Sequence, residues 1–258
     1  MNKLLHGDCR KFLFDGTIEP DSIDLTVTSP PYDNLRTYNN SCSWGWPEFS
    51  AVAAGLWKVT KPGGVVVWVV NDATIKGDET GSSFDQALAF KKMGFNLHDT
   101  MIWNKPFIVP KPANRYESSV EFMFIFSKGK PATVNLIKDK PNKGAGRKIT
   151  GHKRGADGIP VKLHGCISRK LVADFGTRHN IWTIDTSRGV NVHNHPASFP
   201  EQLVHDHIIS WSNEADIVFD PFLGSGTTGK VAKLLNRKFI GIEIDTEYFK
   251  MCKERIGV

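Results

Sequence analysis

The sequence predicts an α/β protein: an open sheet whose strands alternate with helices packed on both faces. Three observations carry this. Apolar, β-branched runs of strand length, Ile23–Val27 and Val65–Val70, alternate with stretches of helical spacing such as Pro47–Val59. Ala215–Asp220 reads as a strand that opens into Gly224, Gly226 and Gly229 at G-x-G-x-x-G spacing, then a helix through Leu235. Finally, Thr28-Ser-Pro-Pro-Tyr32 stops a buried strand abruptly at its carboxyl end, where open α/β sheets place their ligands.

Taken in order, residues 1–32 predict a short strand (Lys3–Leu5), a Gly7-Asp8 corner, a helix from about Cys9, and the strand into Thr28. Asp8 at that corner is either a helix cap or a polar ligand contact. Pro30 and Pro31 have fixed φ and no backbone donor, so the strand cannot continue as a ladder past Thr28. The stiff turn presents the Ser29 hydroxyl, the Pro30 carbonyl and the Tyr32 ring. That set suits a planar ring bearing an amino group: two acceptors for the N–H bonds and an aromatic face for the ring. Residues 33–46 lack periodicity and read as a loop beside the turn, with Asn34, Arg36 and Tyr38 in reach of whatever Tyr32 holds. Trp44 and Trp46 read equally well as loop or core.

Lys61-Pro-Gly-Gly64 ends the Pro47–Val59 helix, and Val65–Val70 follows as a buried strand. Phe84–Met93 predicts another helix closed by Gly94. His98–Trp103 and Glu121–Phe126 are further strands, with the proline-rich Lys105–Pro112 between them. Between Lys128 and Arg154 there are nine basic residues against one acidic, Asp139, with glycines interrupting any regular element. A basic, glycine-broken run inside an α/β pattern fits either a solvated surface or a phosphate-contacting segment. Residues 128–186 are therefore read as an insertion, with Lys143, Arg147, Lys148, Lys153 and Arg154 as backbone contacts. Helical spacing returns over 196–212.

The 258 residues carry a formal charge of +6, a modest lean towards a polyanionic partner. Cys9, Cys42, Cys166 and Cys252 are scattered without a C-x-x-C pair, which argues against a zinc site and a disulfide framework. His193, His195, His205 and His207 have no completing ligands, so no metal is expected. The amino-terminal residues lack a signal-peptide pattern and no apolar run approaches a bilayer span, so a soluble cytoplasmic protein is expected, with no membrane partner.

Lys238–Ile244 is the strand after the glycine turn, and Glu243 lies nineteen residues beyond Gly224, where an acid can hold ribose hydroxyls. Asp220-Pro221 before the glycines favours a ligand with a cationic amino group over a pyrophosphate. At this point Asp220-Pro-Phe-Leu-Gly-Ser-Gly-Thr-Thr228 and Thr28-Ser-Pro-Pro-Tyr32 together resemble the two signature motifs of the S-adenosylmethionine-dependent DNA amino-methyltransferases. With the catalytic motif first and the cofactor motif last, the order is similar to the permuted β group of these bacterial and phage enzymes.

The resemblance covers nearly the whole chain outside 128–186, where the family keeps its variable target-recognition region. It implies a Rossmann-like sheet, mostly parallel with one antiparallel strand. S-adenosyl-L-methionine would be the cofactor and double-stranded DNA the substrate, with a homodimer and a cognate restriction endonuclease as further partners. It implies that Phe222, Gly224 and Gly226, with Pro221, Ser225 and Thr227 of the same turn, cradle the cofactor. Asp220 would lie near its methionine end, Glu243 at the ribose and Asp8 at the adenine, with Thr28 and Ile244 as further cofactor contacts. Ser198 and Phe199, in His195–Glu201, would line the methionine pocket.

Ser29, Pro30, Pro31 and Tyr32 would hold the flipped target base, and serine at position 29 points within the family to N4 of cytosine, with N6 of adenine as the alternative. Other readings fit less well. RNA and protein-glutamine methyltransferases usually have Asn where Ser29 stands and the cofactor motif first. A non-enzymatic nucleotide-binding module has no use for the proline turn. No cysteine follows a proline, so the nucleophile of cytosine-C5 chemistry is missing.

Overall fold

The computed structural model describes residues 2–31, 44–106, 114–149, 152–162, 170–185 and 200–257. The chain divides into two compact units, Met1–Asn135 with Asn180–Val258, and Leu136–His179.

In chain order the first unit begins with β1 (Lys3–His6), α1 (Cys9–Phe14), β2 (Ile23–Thr28), α2 (Trp46–Val59) and β3 (Thr60–Val70). A ribbon of β4 (Thr74–Ile75) and β5 (Asp78–Glu79) leads to α3 (Ser82–Lys92), β6 (Asn96–Asn104) and β7 (Val120–Ser127). The second unit holds β8 (Lys140–Pro141), β9 (His152–Arg154), β10 (Pro160–Lys162) and β11 (Phe175–Gly176), paired antiparallel as β8–β11 and β9–β10. The first unit resumes with β12 (Ile181–Thr183), α4 (Glu201–Trp211), β13 (Ile217–Asp220), α5 (Thr227–Leu234), β14 (Lys238–Glu243) and α6 (Thr246–Ile256).

Eight strands form one sheet in the order β1-β14-β13-β2-β3-β7-β6-β12. Every neighbouring pair is parallel except β3–β7 and β7–β6, so β7 alone runs against the others, as the family pattern implied. The strand Val65–Val70 shows why both faces must be covered. Val66, Trp68 and Val70 point into a cluster with Leu13, Phe49, Leu56 and Phe90 of α1–α3. Val65, Val67 and Val69 point the other way, into a cluster with Val204, Ile208, Val231 and Ile256 of α4–α6. This period-two split of a wholly apolar run is what a doubly covered strand requires. Each such side chain contributes roughly 1.5–3 kcal/mol by burial.

Several elements start earlier than the sequence suggests, and for β3 and α3 the cause is visible. β3 begins at Thr60 and runs through Pro62, Gly63 and Gly64, because the β2–β3 register shifts between Ile23 and Leu25. Gly64 passes so close to β2 that a Cβ there would meet the Ile23 carbonyl at 2.9 Å. α3 begins at Ser82 because a carboxylate ten residues upstream caps it: Asp72 accepts from the Ser83 amide at 2.8 Å and its hydroxyl at 2.6 Å. α6 was not anticipated at all. Its amino end is capped by Asp245, which accepts from the amides of Glu247 and Tyr248, and its carboxyl end by Gly257 at φ +70°.

The insertion read over 128–186 by composition is wider than the compact unit Leu136–His179. Lys128 is a structural residue of the first unit: its ammonium donates to Asp21 Oδ1, Trp57 O and Thr60 O at 2.6, 2.9 and 3.0 Å and lies over the Trp57 ring. β12, at the other limit, adds to the main sheet beside β6, pairing Trp182 with Trp103.

Candidate active site

The order of the strands locates the site before any side chain is considered. From β13 the chain crosses through α5 to β14 on one side, whereas from β2 it crosses through α2 to β3 on the other. The two crossovers leave in opposite directions, so a crevice opens at the carboxyl ends of β13 and β2, the switch point where such sheets bind ligands.

Thr28 ends β2 and Asp220 ends β13, and the two motifs meet there. The Thr28 hydroxyl donates to Asp220 Oδ1 at 2.6 Å, and Thr228, on the first turn of α5, donates to Oδ2 at 2.7 Å. The Phe222 amide adds a third bond to Oδ1 at 3.0 Å. Asp220 is 2% exposed. Burial outweighs these hydrogen bonds and pushes its carboxyl group up to about 6. Immediately past Thr28, Pro30 is buried and Ser29 and Pro31 are half-buried.

The glycine turn is held from two sides. Gly224 (φ +53°) and Gly226 (φ +84°) adopt left-handed backbone that only glycine takes without strain. On the strand side, Glu243 at the end of β14 accepts the Gly224 amide at 2.7 Å through Oε2 and the Asp245 amide at 2.8 Å through Oε1. Desolvation raises its carboxyl group to about 7 despite those bonds. Its own carbonyl accepts from Gly7 at 2.9 Å, which ties the β1 corner to the same edge. Ile244, the next residue, is 37% exposed.

On the helix side, α6 packs so closely that a Cβ on Gly226 would meet Cys252 Cα at 3.3 Å, and the Cys252 thiol donates to the Gly224 carbonyl at 2.8 Å. Arg255, also on α6, donates to the Ser225 carbonyl and to the hydroxyls of Ser225 and Thr227. The Phe222 ring stands edge-on to Trp44 at 5.2 Å and to Trp68 at 6.4 Å, so Trp44 belongs to the wall of the site while Trp46 is 54% exposed.

Asp8 caps α1, one of the two roles expected for it, and makes an ion pair besides. It accepts the Arg10 amide at 2.9 Å, capping α1, and Arg10 also grips the carboxylate through Nε and Nη2. The guanidinium beside it holds the Asp8 carboxyl below the usual range. Asp8 lies at the same sheet edge as Glu243, one residue beyond the Gly7 bond.

Thr28, Asp8, Asp220, Pro221, Phe222, Gly224, Ser225, Gly226, Thr227, Glu243 and Ile244 are thus brought to one edge of the sheet. Tyr32, Asn34, Arg36, Tyr38, Ser198 and Phe199 lie outside the described residues. In the second unit Lys143, Arg147, Lys148 and Arg154 are all exposed, and Lys153 lies on β9. His207 is buried against Trp182 and pushed down to about 3, while His205 bonds Asp206 at 2.9 Å. Among the described residues no group of three or more His, Cys, Asp or Glu could hold a metal, and no helix is long and apolar enough to cross a membrane. Cys252 and Arg255 were missed by sequence reasoning. Their only signal was helical spacing over 246–256, which reads as an ordinary amphipathic surface.

The family profile of DNA methylases, the N6/N4 type, matches residues 23–254. The orphan methyltransferase M.BamHII of Bacillus amyloliquefaciens is 54% identical over 242 residues, covering 91% of this chain and 89% of the relative. The type II methyltransferase M.BglII of Bacillus subtilis is 30% identical over 96% of this chain and 67% of its own. Among solved structures, the PvuII cytosine-N4-specific DNA methyltransferase superposes with a TM-score of 0.71 at 25% identity, covering 99% of this chain and 86% of that one. The fold of the M1.HpyAVI–SAM complex matches over the full length of both chains with a TM-score of 0.68 at 24% identity. The chain belongs to the N6/N4 family of DNA methylases, and it is a DNA methyltransferase.

Proposed function

We propose that this enzyme transfers a methyl group from S-adenosyl-L-methionine to the exocyclic N4 amino group of cytosine, at a specific site in double-stranded DNA, with the target base turned out of the helix. The observation that carries the reading is the Thr28–Asp220 bond, which sets the Ser29-Pro30 turn against the glycine turn at the switch point.

The residues present fit the cofactor. Each Glu243 carboxylate oxygen holds one backbone amide and keeps a lone pair for a ribose hydroxyl. Gly224 and Gly226 give the turn its left-handed backbone, and the missing Cβ of Gly226 lets α6 pack against it. Phe222 supplies a half-buried ring, and Asp220 a carboxylate at the end where a cationic amino group would lie. When bound, S-adenosylmethionine supplies an electrophilic methyl on a sulfonium.

The remaining work falls to the protein. An exocyclic amino group is shielded in a stacked pair, so the base must leave the duplex. The Pro30 carbonyl and Ser29 then accept its two N–H bonds, which turns the nitrogen lone pair out of ring conjugation and aims it at the methyl donor. Tyr32 holds the ring face, and a stiff proline turn fixes the angle. Such positioning supplies up to roughly 7–11 kcal/mol in ideal cases. No covalent intermediate is required.

Serine at position 29 supports cytosine over adenine, as does the structural likeness to a cytosine-N4-specific enzyme. Within the insertion read over 128–186, the unit Leu136–His179, with exposed Lys143, Arg147, Lys148 and Arg154, is assigned to target recognition, and Asn34, Arg36 and Tyr38 to contacts around the flipped base. Incubation with tritiated S-adenosylmethionine and unmethylated bacterial DNA, followed by nucleoside chromatography, tests the reading. Label in N4-methylcytosine supports it; label in N6-methyladenine keeps the chemistry and overturns the base.

A further inference from the structure

Ser225 and Thr227 sit in the turn proposed to hold the cofactor, and their hydroxyls bond Arg255 of α6. Both are 3% exposed and both accept from Arg255: Nη1 reaches Ser225 Oγ at 2.8 Å, Thr227 Oγ1 at 3.1 Å and the Ser225 carbonyl at 3.1 Å. The other arm of the same guanidinium, Nη2, donates to Glu201 Oε1 at 2.8 Å, and Lys230 of α5 donates to that same oxygen at 2.6 Å. The Arg255 side chain is 13% exposed and that of Glu201 44%, so the fork is shielded on the side of the turn and open to water at the carboxylate. Glu201 is held below the usual range by its two cations against the opposing effect of burial.

One planar group therefore joins three elements: α6, which carries it, the turn at the head of α5, and the first residue of α4. We propose that Arg255 is a positioning residue for S-adenosylmethionine, setting the shape of the Gly224–Thr227 turn without touching the ligand. This rests on the cofactor site proposed above. A left-handed turn built on two glycines has little stiffness of its own. Its amides must nonetheless stand in fixed places for binding to cost little ordering entropy. Cys252 pins the Gly224 carbonyl from the same face of α6. Arg255 completes the clamp one and three residues further along the turn, at Ser225 and Thr227. Lysine cannot replace it, because a point donor cannot span Glu201 and Ser225 together.

The test compares Arg255→Ala, Arg255→Lys and Glu201→Gln with the parent enzyme, reading the Kd and KM for S-adenosylmethionine, kcat, the KM for DNA and the melting temperature. Arg255→Ala is expected to raise the cofactor Kd and KM by about 10- to 100-fold, the scale of one or two lost charge-assisted bonds. At saturating cofactor, kcat stays within about threefold and the KM for DNA is unchanged. Arg255→Lys should lie between the two, and Glu201→Gln should cost less than Arg255→Ala. Should Arg255→Ala melt too low to assay, the Arg255→Lys cofactor Kd decides. An unchanged Kd in the arginine variants, or a fall in kcat and melting temperature without a change in KM, overturns the proposal. Glu243→Gln, measured in parallel, separates the two assignments. If it weakens binding and Arg255→Ala does not, only the role of Arg255 falls; if it leaves binding intact, the cofactor site falls and this proposal with it.

Discussion

The Thr28 hydroxyl and Asp220 Oδ1, 192 residues apart in sequence, are 2.6 Å apart in the fold. The bond is buried and joins the last residue of β2 to the last residue of β13. One carboxylate thus sets the distance between the turn assigned to the target base and the turn assigned to the cofactor. Asp220→Asn presents an amide donor to at least one hydroxyl that now donates. The expected result is a loss of about 1–3 kcal/mol of stability in denaturant titration, together with a lower kcat from the displaced turns.

Glu243 and Asp220 make stability depend on pH in an uncommon direction. Their ordinary values are 4.5 and 3.8, and folding raises them to about 7 and about 6. Between pH 4 and 7 the folded chain therefore holds protons that the unfolded chain has released, so these groups lose stabilising effect as pH rises. Glu243→Gln removes one of them. The stability of the parent enzyme minus that of the variant should decline from pH 4.5 to 7.5, by roughly 2–3 kcal/mol in order of magnitude. A flat or rising difference in chemical denaturation would contradict the burial assigned to this carboxylate.

Ser29→Ala should leave the fold and the cofactor Kd within about threefold while lowering kcat by about a hundredfold, the scale of losing one aligned polar contact to the reacting group. Tyr32→Ala should act in the same way. Full activity in both variants would sink the assignment of the proline turn.

Lys128 and Arg147 should separate although both belong to the same basic stretch. Lys128→Met breaks three hydrogen bonds within the first unit and should cost about 1–3 kcal/mol of stability with an unchanged salt dependence of DNA binding. Arg147→Ala should leave stability alone and reduce the salt slope of DNA affinity by about one. Binding isotherms from 50 to 300 mM salt, on the order of the range where the effect is steep, distinguish them.

What could be read from the sequence follows from how local the constraint is. Pro30-Pro31 and the glycines at 224, 226 and 229 restrict backbone geometry by themselves, so both turns were legible without the fold. Val65–Val70 was legible because no other element of that length is apolar at every position. The switch point needed only those strands in the right order. Lys128, by contrast, looks like any other member of a basic run until Trp57 and Asp21 are brought beneath it. β12 is three residues long, and its partner strand ends nearly eighty residues earlier. Arg255 sits in Cys-Lys-Glu-Arg255, which carries the pattern of an exposed helix end. Its meaning comes from Ser225 and Glu201, neither of them near it in the chain.

The central place of β2 has a cost during synthesis. Its two sheet neighbours are β3, made at once, and β13, which begins at Ile217. A ribosome adding about 5–20 residues per second needs about 10–40 s to travel from Thr28 to Asp220. Throughout that interval β2 is an edge strand, with an open row of amides and carbonyls and the apolar side chains of Leu25 and Val27 uncovered on the face that α4 and α5 will later close. Nascent chains stalled before residue 215 should be cut by protease within 23–28 and should bind chaperones there, whereas chains that have released β13–α6 should not. Permuted order leaves the final chemistry unchanged and moves the burden to the time before the second motif exists.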